Sequence, residues 1–157
     1  MKKINIDEIN YLKRSVARDE AGLKNAIEAK ARKKSERAIK NAEADIAFYE
    51  REAKGANEEL AALLAEAEEA KKLAAEGGEI VVAFVWLDDY GRIDSEVERS
   101  LWNSLEEAEE YYNKIKDGNG GYINAWIEVR NAGEFNRIKA IKAELERLKA
   151  ELKELGS

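Results

Sequence analysis

The feature that most constrains this chain is the run Ile80–Leu87, I-V-V-A-F-V-W-L. Alternation puts Ile80, Val82, Phe84 and Trp86 on one side of a strand and Val81, Ala83, Val85 and Leu87 on the other. Both faces are therefore apolar, and a strand of that kind has to be covered twice. The rest of the sequence can be read as what covers it.

Most of that cover must be helical. The chain of 157 residues is 45% hydrophobic and 38% charged, without proline, cysteine or histidine. Its Ala, Glu, Lys and Leu favour helix, and its length suffices for a core without disulfide staples. From about Ile6 to Lys54 the only glycine is Gly22, so one long helix is predicted, with Asp7 as N-cap and Ile4 or Ile6 as a staple residue. Such a helix would be roughly 70 Å long, whereas a compact domain of this size has a radius of gyration near ~15 Å. It must project or break, and Gly22 is the local feature that favours a break. Gly55 reads as a C-cap and Asn57 as the N-cap of a second helix reaching about Glu76. The two helices make an antiparallel hairpin whose second arm is too short to cover the start of the first.

Gly77-Gly78 marks the change from helical period to alternation. After the opening strand, Asp88-Asp89-Tyr90-Gly91-Arg92 reads as a hairpin turn and Ser95–Trp102 as a second, weaker strand. Ser104-Leu105-Glu106-Glu107 fits a capping box, starting a helix with Leu105, Ala108, Tyr112 and Ile115 inward. The stretch from Asp117 to Gly121 stops it, and Tyr122–Arg130 forms a third strand with Ile123, Ala125, Ile127 and Val129 on one face. With the Ile80 strand central, this is a split β-α-β unit. The last helix carries Ile138, Ile141, Leu145, Leu148, Leu152 and Leu155 at alternating spacings of three and four. That is an a/d seam, expected either to cover the first helix or, left free, to form a homodimer.

The predicted fold class is α+β: a long helical hairpin and a C-terminal helix packed on a small ββαβ three-stranded antiparallel sheet. Residues 1–76 form the hairpin, 77–131 the ββαβ unit and 132–157 the amphipathic helix, together one cooperative domain.

Function is less legible. Without histidine or cysteine the usual general base, thiol nucleophile and most transition-metal ligands are missing. Asp88, Asp89, Asp94 and Glu96 read as a solvated turn rather than an acid/base pair. The Asp117–Gly121 stretch suggests a calcium loop with Glu128 at its twelfth position, but Tyr122 stands where that loop needs glycine. No catalytic residue, metal site or cofactor is expected. The first 54 residues carry a net positive balance and the remainder a larger negative one, within a formal total of −6. Positive charge peaks between Lys30 and Lys40, where Lys30, Arg32, Lys33, Lys34, Arg37 and Lys40 occupy six of eleven positions. This is the candidate binding patch, for phosphate if it binds anything; a merely solvated stretch is the competing reading. Trp86, Trp102, Trp126, Tyr111 and Tyr122 form a candidate aromatic surface, which core packing explains equally well.

The missing Cys, His and Pro, the single Met, the Ala/Glu/Lys/Leu helices, the regular Glu134–Leu155 segment and the Gly156-Ser157 tail give the chain a further character. In these respects it resembles computationally designed or redesigned proteins. The resemblance implies a non-enzymatic scaffold or protein-interaction module. Its natural counterpart would be a small inhibitor that blocks a host factor by direct binding or charge mimicry. A protein partner is expected, with nucleic-acid binding through residues 30–40 as the alternative. The opening Met1-Lys2-Lys3-Ile4-Asn5 leads into charged helix rather than an apolar leader, and no run approaches the ~18 apolar residues of a membrane span. A soluble, cytoplasmic protein, monomer or homodimer through helix 138–155, is the expectation.

Overall fold

A computed structural model describes residues 1–156; Ser157 of the Gly156-Ser157 tail lies outside the described residues. The chain is α+β. Its elements are β1 (Lys2–Ile4), α1 (Ile6–Ala31), α2 (Glu36–Ala75), β2 (Glu79–Trp86), β3 (Glu98–Trp102), α3 (Leu105–Asn119), β4 (Ile123–Arg130) and α4 (Glu134–Leu155). Two compact units contain them, residues 4–67 and residues 1–3 with 68 onward.

In the unit of residues 4–67 the long helical hairpin is present, but its turn is not where the glycines point. α1 starts from Asn5, whose Oδ1 accepts the Glu8 amide at 3.3 Å while its Nδ2 donates to Glu8 Oε2. Asn5 thus takes the capping role predicted for Asp7. The helix runs straight through Gly22, and α2 runs through Gly55. The break falls at 32–35, inside the basic stretch. Ser35 Oγ accepts the Ala38 amide at 3.1 Å and so opens α2, while the Arg32 and Lys33 amides close the end of α1 on Ala29 and Lys30. Like charges at i,i+3 and i,i+4 weaken helix there, and no large apolar side chain between 28 and 38 offers packing in return.

Gly22 has a different task. A Cβ at this position would lie 2.5 Å from Cε1 of Tyr49, so the glycine is the seat on which that ring packs as α1 and α2 approach. Lys30 Nζ to Glu43 Oε1, 3.3 Å, ties the same two helices nearer the turn. The arms are long enough that the start of α1 meets α2 itself: Leu12, Ser15 and Asp19 share a groove with Arg51, Gly55 and Ala56.

The other unit holds the sheet, in the order β1-β4-β2-β3. β2 pairs antiparallel with β3 and with β4, Val82 standing opposite Ser100 on one side and Ile127 on the other. The split β-α-β arrangement is as predicted, with a fourth strand, β1, added at the β4 edge. α3 is capped by Ser104, whose Oγ accepts the Glu107 amide at 3.1 Å, and continues to Asn119, past the predicted stop at Asp117.

The register sorts the sheet into two faces. Ile80, Val82 and Phe84 share one with Ser100, Trp102, Ala125, Ile127 and Val129. α3 lies on it, Tyr111 stacking on Trp102 with ring centroids 4.6 Å apart and Tyr112 buried. Val81, Ala83 and Val85 share the other with Arg99, Leu101, Trp126 and Glu128. Ile80 through Ala83 and Val85 are buried, so the central strand is covered on both faces as its sequence requires. Phe84 is half-buried, and only at Trp86 does the strand emerge.

Candidate functional site

Three features have the chemistry or the exposure to act: the basic turn, a charged network on the second face of the sheet, and α4.

The turn gathers the predicted patch at one end of the α1–α2 hairpin. Arg32, Lys33 and Lys34 are exposed in the connection, Lys30 closes α1, and Arg37 and Lys40 stand exposed in the first turns of α2. Lys30 pairs with Glu43; among the described residues none of the other five has a carboxylate within ion-pair distance. The fold thus brings all six together.

The second feature was invisible to a reading that followed apolar faces only. Glu128 is fully buried on β4. Its carboxylate accepts Arg99 Nε at 3.2 Å, Arg130 Nη2 at 2.8 Å and Trp126 Nε1 at 2.9 Å, with longer bonds from Arg99 Nη2 and Arg130 Nε. Cross-strand register puts Arg99 and Trp126 on either side of Ala83, and Glu128 beside Val81, all on one face. Burial pushes the Glu128 carboxyl up, but the bonds from Arg99, Arg130 and Trp126 together outweigh it and hold it below the usual carboxylate range. The sequence signal was present in Trp126-x-Glu128-x-Arg130, alternating with the apolar face of the same strand.

Arg99 and Arg130 also line a cleft of about 480 Å³ with Val97, Ile138, Lys139 and Lys142. Its rim is cationic, yet both guanidinium groups turn Nε and one Nη to Glu128. The network ties β3 to β4 across β2.

The carboxylates of the hairpin turn do not converge. Asp88 organises the turn, its Oδ1 accepting the Tyr90 and Arg92 amides at 2.9 Å each while Oδ2 pairs with Arg92 Nε. The Arg92 amide leads in holding its carboxyl below the usual range. Among the described residues no three acidic groups come together as metal ligands. The aromatic set is dispersed too: Trp102 stacks on Tyr111, Trp126 binds Glu128, and Trp86 and Tyr122 are exposed separately.

The third feature is the α4 seam, which is exposed rather than covered. Ile138 is half-buried at the cleft, but exposure is 58% at Ile141, 49% at Leu145, 47% at Leu148, 71% at Leu152 and 80% at Leu155. On the polar side Arg147 bonds Glu144 at 2.6 Å and Glu151 at 3.2 Å, and Lys149 pairs with Glu146. A stripe of five large apolar side chains along one helix is the kind of contiguous patch that marks an interaction surface.

No family model, curated protein or solved structure matches this chain. Among the described residues no helix is long and apolar enough to cross a membrane.

Proposed function

We propose that this chain is a non-enzymatic protein-interaction module that docks a partner helix along α4. The observation that carries the reading is the exposure of the seam from Ile141 to Leu155. Burying a large aliphatic side chain fully is worth about 1.5–3 kcal/mol, so a matching helix laid in that seam has a substantial driving force. Helix-in-groove recognition reads such anchors at i, i+3, i+4 and i+7.

Two labelled 22-residue probes test it by fluorescence anisotropy: a peptide of sequence Glu134–Leu155, and the same peptide with Lys at its Glu144 and Glu151 positions and Glu at its Lys142 and Lys149 positions. At least one should bind the full chain, and Leu145→Glu with Leu148→Glu should abolish binding while leaving the melting temperature nearly unchanged. If neither probe binds, the seam is not a docking surface.

A second reading has its own observation, the gathering of six cations at one end of the hairpin, and takes this end as a contact for nucleic-acid phosphates. Neutralising four phosphates would give a slope of log K against log salt of about −3.6 for duplex DNA. Lys33→Glu, Lys34→Glu and Arg37→Glu together should then remove binding to a random duplex, as measured by anisotropy at two salt concentrations. Unchanged binding in that variant excludes this surface.

A further inference from the structure

We infer that the helix seated on the α4 seam is α4 of a second copy of this chain, running parallel and in register. The inference rests on the reading of α4 as the docking surface and adds the identity and direction of its occupant.

Heptad positions follow from the seam. With Leu145 and Leu152 at a and Ile141, Leu148 and Leu155 at d, the e positions are Lys142 and Lys149 and the g positions are Glu144 and Glu151. Between Ile141 and Leu155 the two e positions are thus basic and the two g positions acidic. In a parallel pair, g of one helix lies against e of the next heptad of the other. Glu144 then meets Lys149 of the second copy, and by symmetry the contact occurs twice. In an antiparallel pair g faces g and e faces e, so Glu would meet Glu and Lys would meet Lys. The same side chains therefore attract in one orientation and repel in the other.

The opening end of the helix agrees. Arg137, at the preceding g, would face Lys142 of the second copy, an unfavourable pair. However, Ile138 is half-buried at the cleft of its own chain, and continuous exposure begins at Ile141. The paired segment therefore starts beyond Arg137. Glu144 and Glu151 already bond Arg147 of their own helix. These are exposed pairs of small worth that can be shared with a second helix at little cost.

The test is sedimentation equilibrium of the full chain as wild type, as Lys149→Glu, as Glu144→Lys and as an equal mixture of the two variants. The wild type should be a reversible dimer. Each variant alone turns both interhelical pairs from attraction to repulsion and should dimerise about tenfold more weakly. The mixture should recover wild-type affinity as a heterodimer. One of its two contacts is then the native Glu144 against the native Lys149, and the other joins the introduced lysine to the introduced glutamate. Both substituted positions are exposed, and circular dichroism melts of the variants should match the wild type. A wild type that stays monomeric overturns the inference, as does a Lys149→Glu variant that dimerises more tightly, the signature of antiparallel pairing. A monomer that still binds the charge-exchanged peptide would leave the docking reading standing and remove only the second copy.

Discussion

Glu128→Ala should lower the stability of the chain by about 3–5 kcal/mol, the usual cost of removing one partner from a buried ion pair. For a protein of this size that corresponds to a fall in melting temperature of roughly 6–20 °C, readable by circular dichroism. The reason is what stays behind. Arg130 has 10% of its side chain exposed and Arg99 29%. With the carboxylate gone, two guanidinium groups and the Trp126 indole N–H lose a common acceptor. The loss is dominated by unpaired charge, not by missing volume. Replacing the set together, with Arg99→Met, Glu128→Leu and Arg130→Met, should therefore recover most of the stability, since well-packed apolar substitutes for buried ionic triads are often neutral or better. Should the triple variant prove no more stable than Glu128→Ala, the cost lies in strand packing.

The same carboxylate sets a pH dependence. Its folded-state pKa is depressed, so its contribution is fully present above the ordinary glutamate value of about 4.3 and is lost as pH falls through the lower folded value. Glu128→Gln should flatten the acid limb of the stability profile relative to the wild type, while leaving the neutral plateau lower. Glu69 beside Lys2 and Asp88 in its turn are depressed in the same direction, but Glu69 is exposed and Asp88 only half-buried, so both contribute less to that limb than the fully buried Glu128.

How much of this was legible depended on whether the signal was local or cross-strand. The doubly apolar Ile80 run announced a central strand, and Ser104 with Glu107 announced the start of α3, because each is written in a few neighbouring residues. β1 was not legible. Three residues, Lys2-Lys3-Ile4, have no room for a pattern, and an edge strand needs only a backbone to pair with. The helix break was misplaced for a different reason. A mid-helix glycine costs about 1 kcal/mol, and at Gly22 the packing of the Tyr49 ring offsets it. The stretch from Lys30 to Lys40 lacks any such compensation, so the chain turns there and presents its cations at the bend. The Glu128 network needed register: Arg99 is 29 residues from Glu128 in sequence, and only the pairing of β2 with both neighbours brings them together. The α4 seam was legible as a pattern, whereas its exposure was not, since period alone cannot say whether a partner lies within the chain.

The junction between α2 and β2 offers the second large effect. Gly78→Ala should destabilise by about 1–3 kcal/mol, as overpacking usually does, measured by urea unfolding. The glycine amide closes the end of α2 on the Leu73 carbonyl at 2.9 Å, and the Gly77 amide reaches Ala74, the two bonds of a Schellman end. A Cβ on residue 78 would lie 2.7 Å from the Leu73 carbonyl oxygen and 2.8 Å from that of Arg130. Both obstacles are backbone, so neither can swing aside as a flexible side chain would. Gly77→Ala is the contrasting case. No atom stands within 4 Å of its Cβ, but its φ is +94°, so its cost of about 1–2 kcal/mol is conformational. The two substitutions should differ in their dependence on Glu128. Relief of the clash at residue 78 pushes on the Arg130 backbone, and the Arg130 side chain is one of the three that donate to Glu128. Gly78→Ala combined with Glu128→Ala should therefore deviate from additivity by about 0.5–3 kcal/mol, whereas Gly77→Ala with Glu128→Ala should add within error. Additivity in both pairs would mean that β4 absorbs the clash without moving the Arg130 guanidinium, and that the helix end and the buried ion network are mechanically separate.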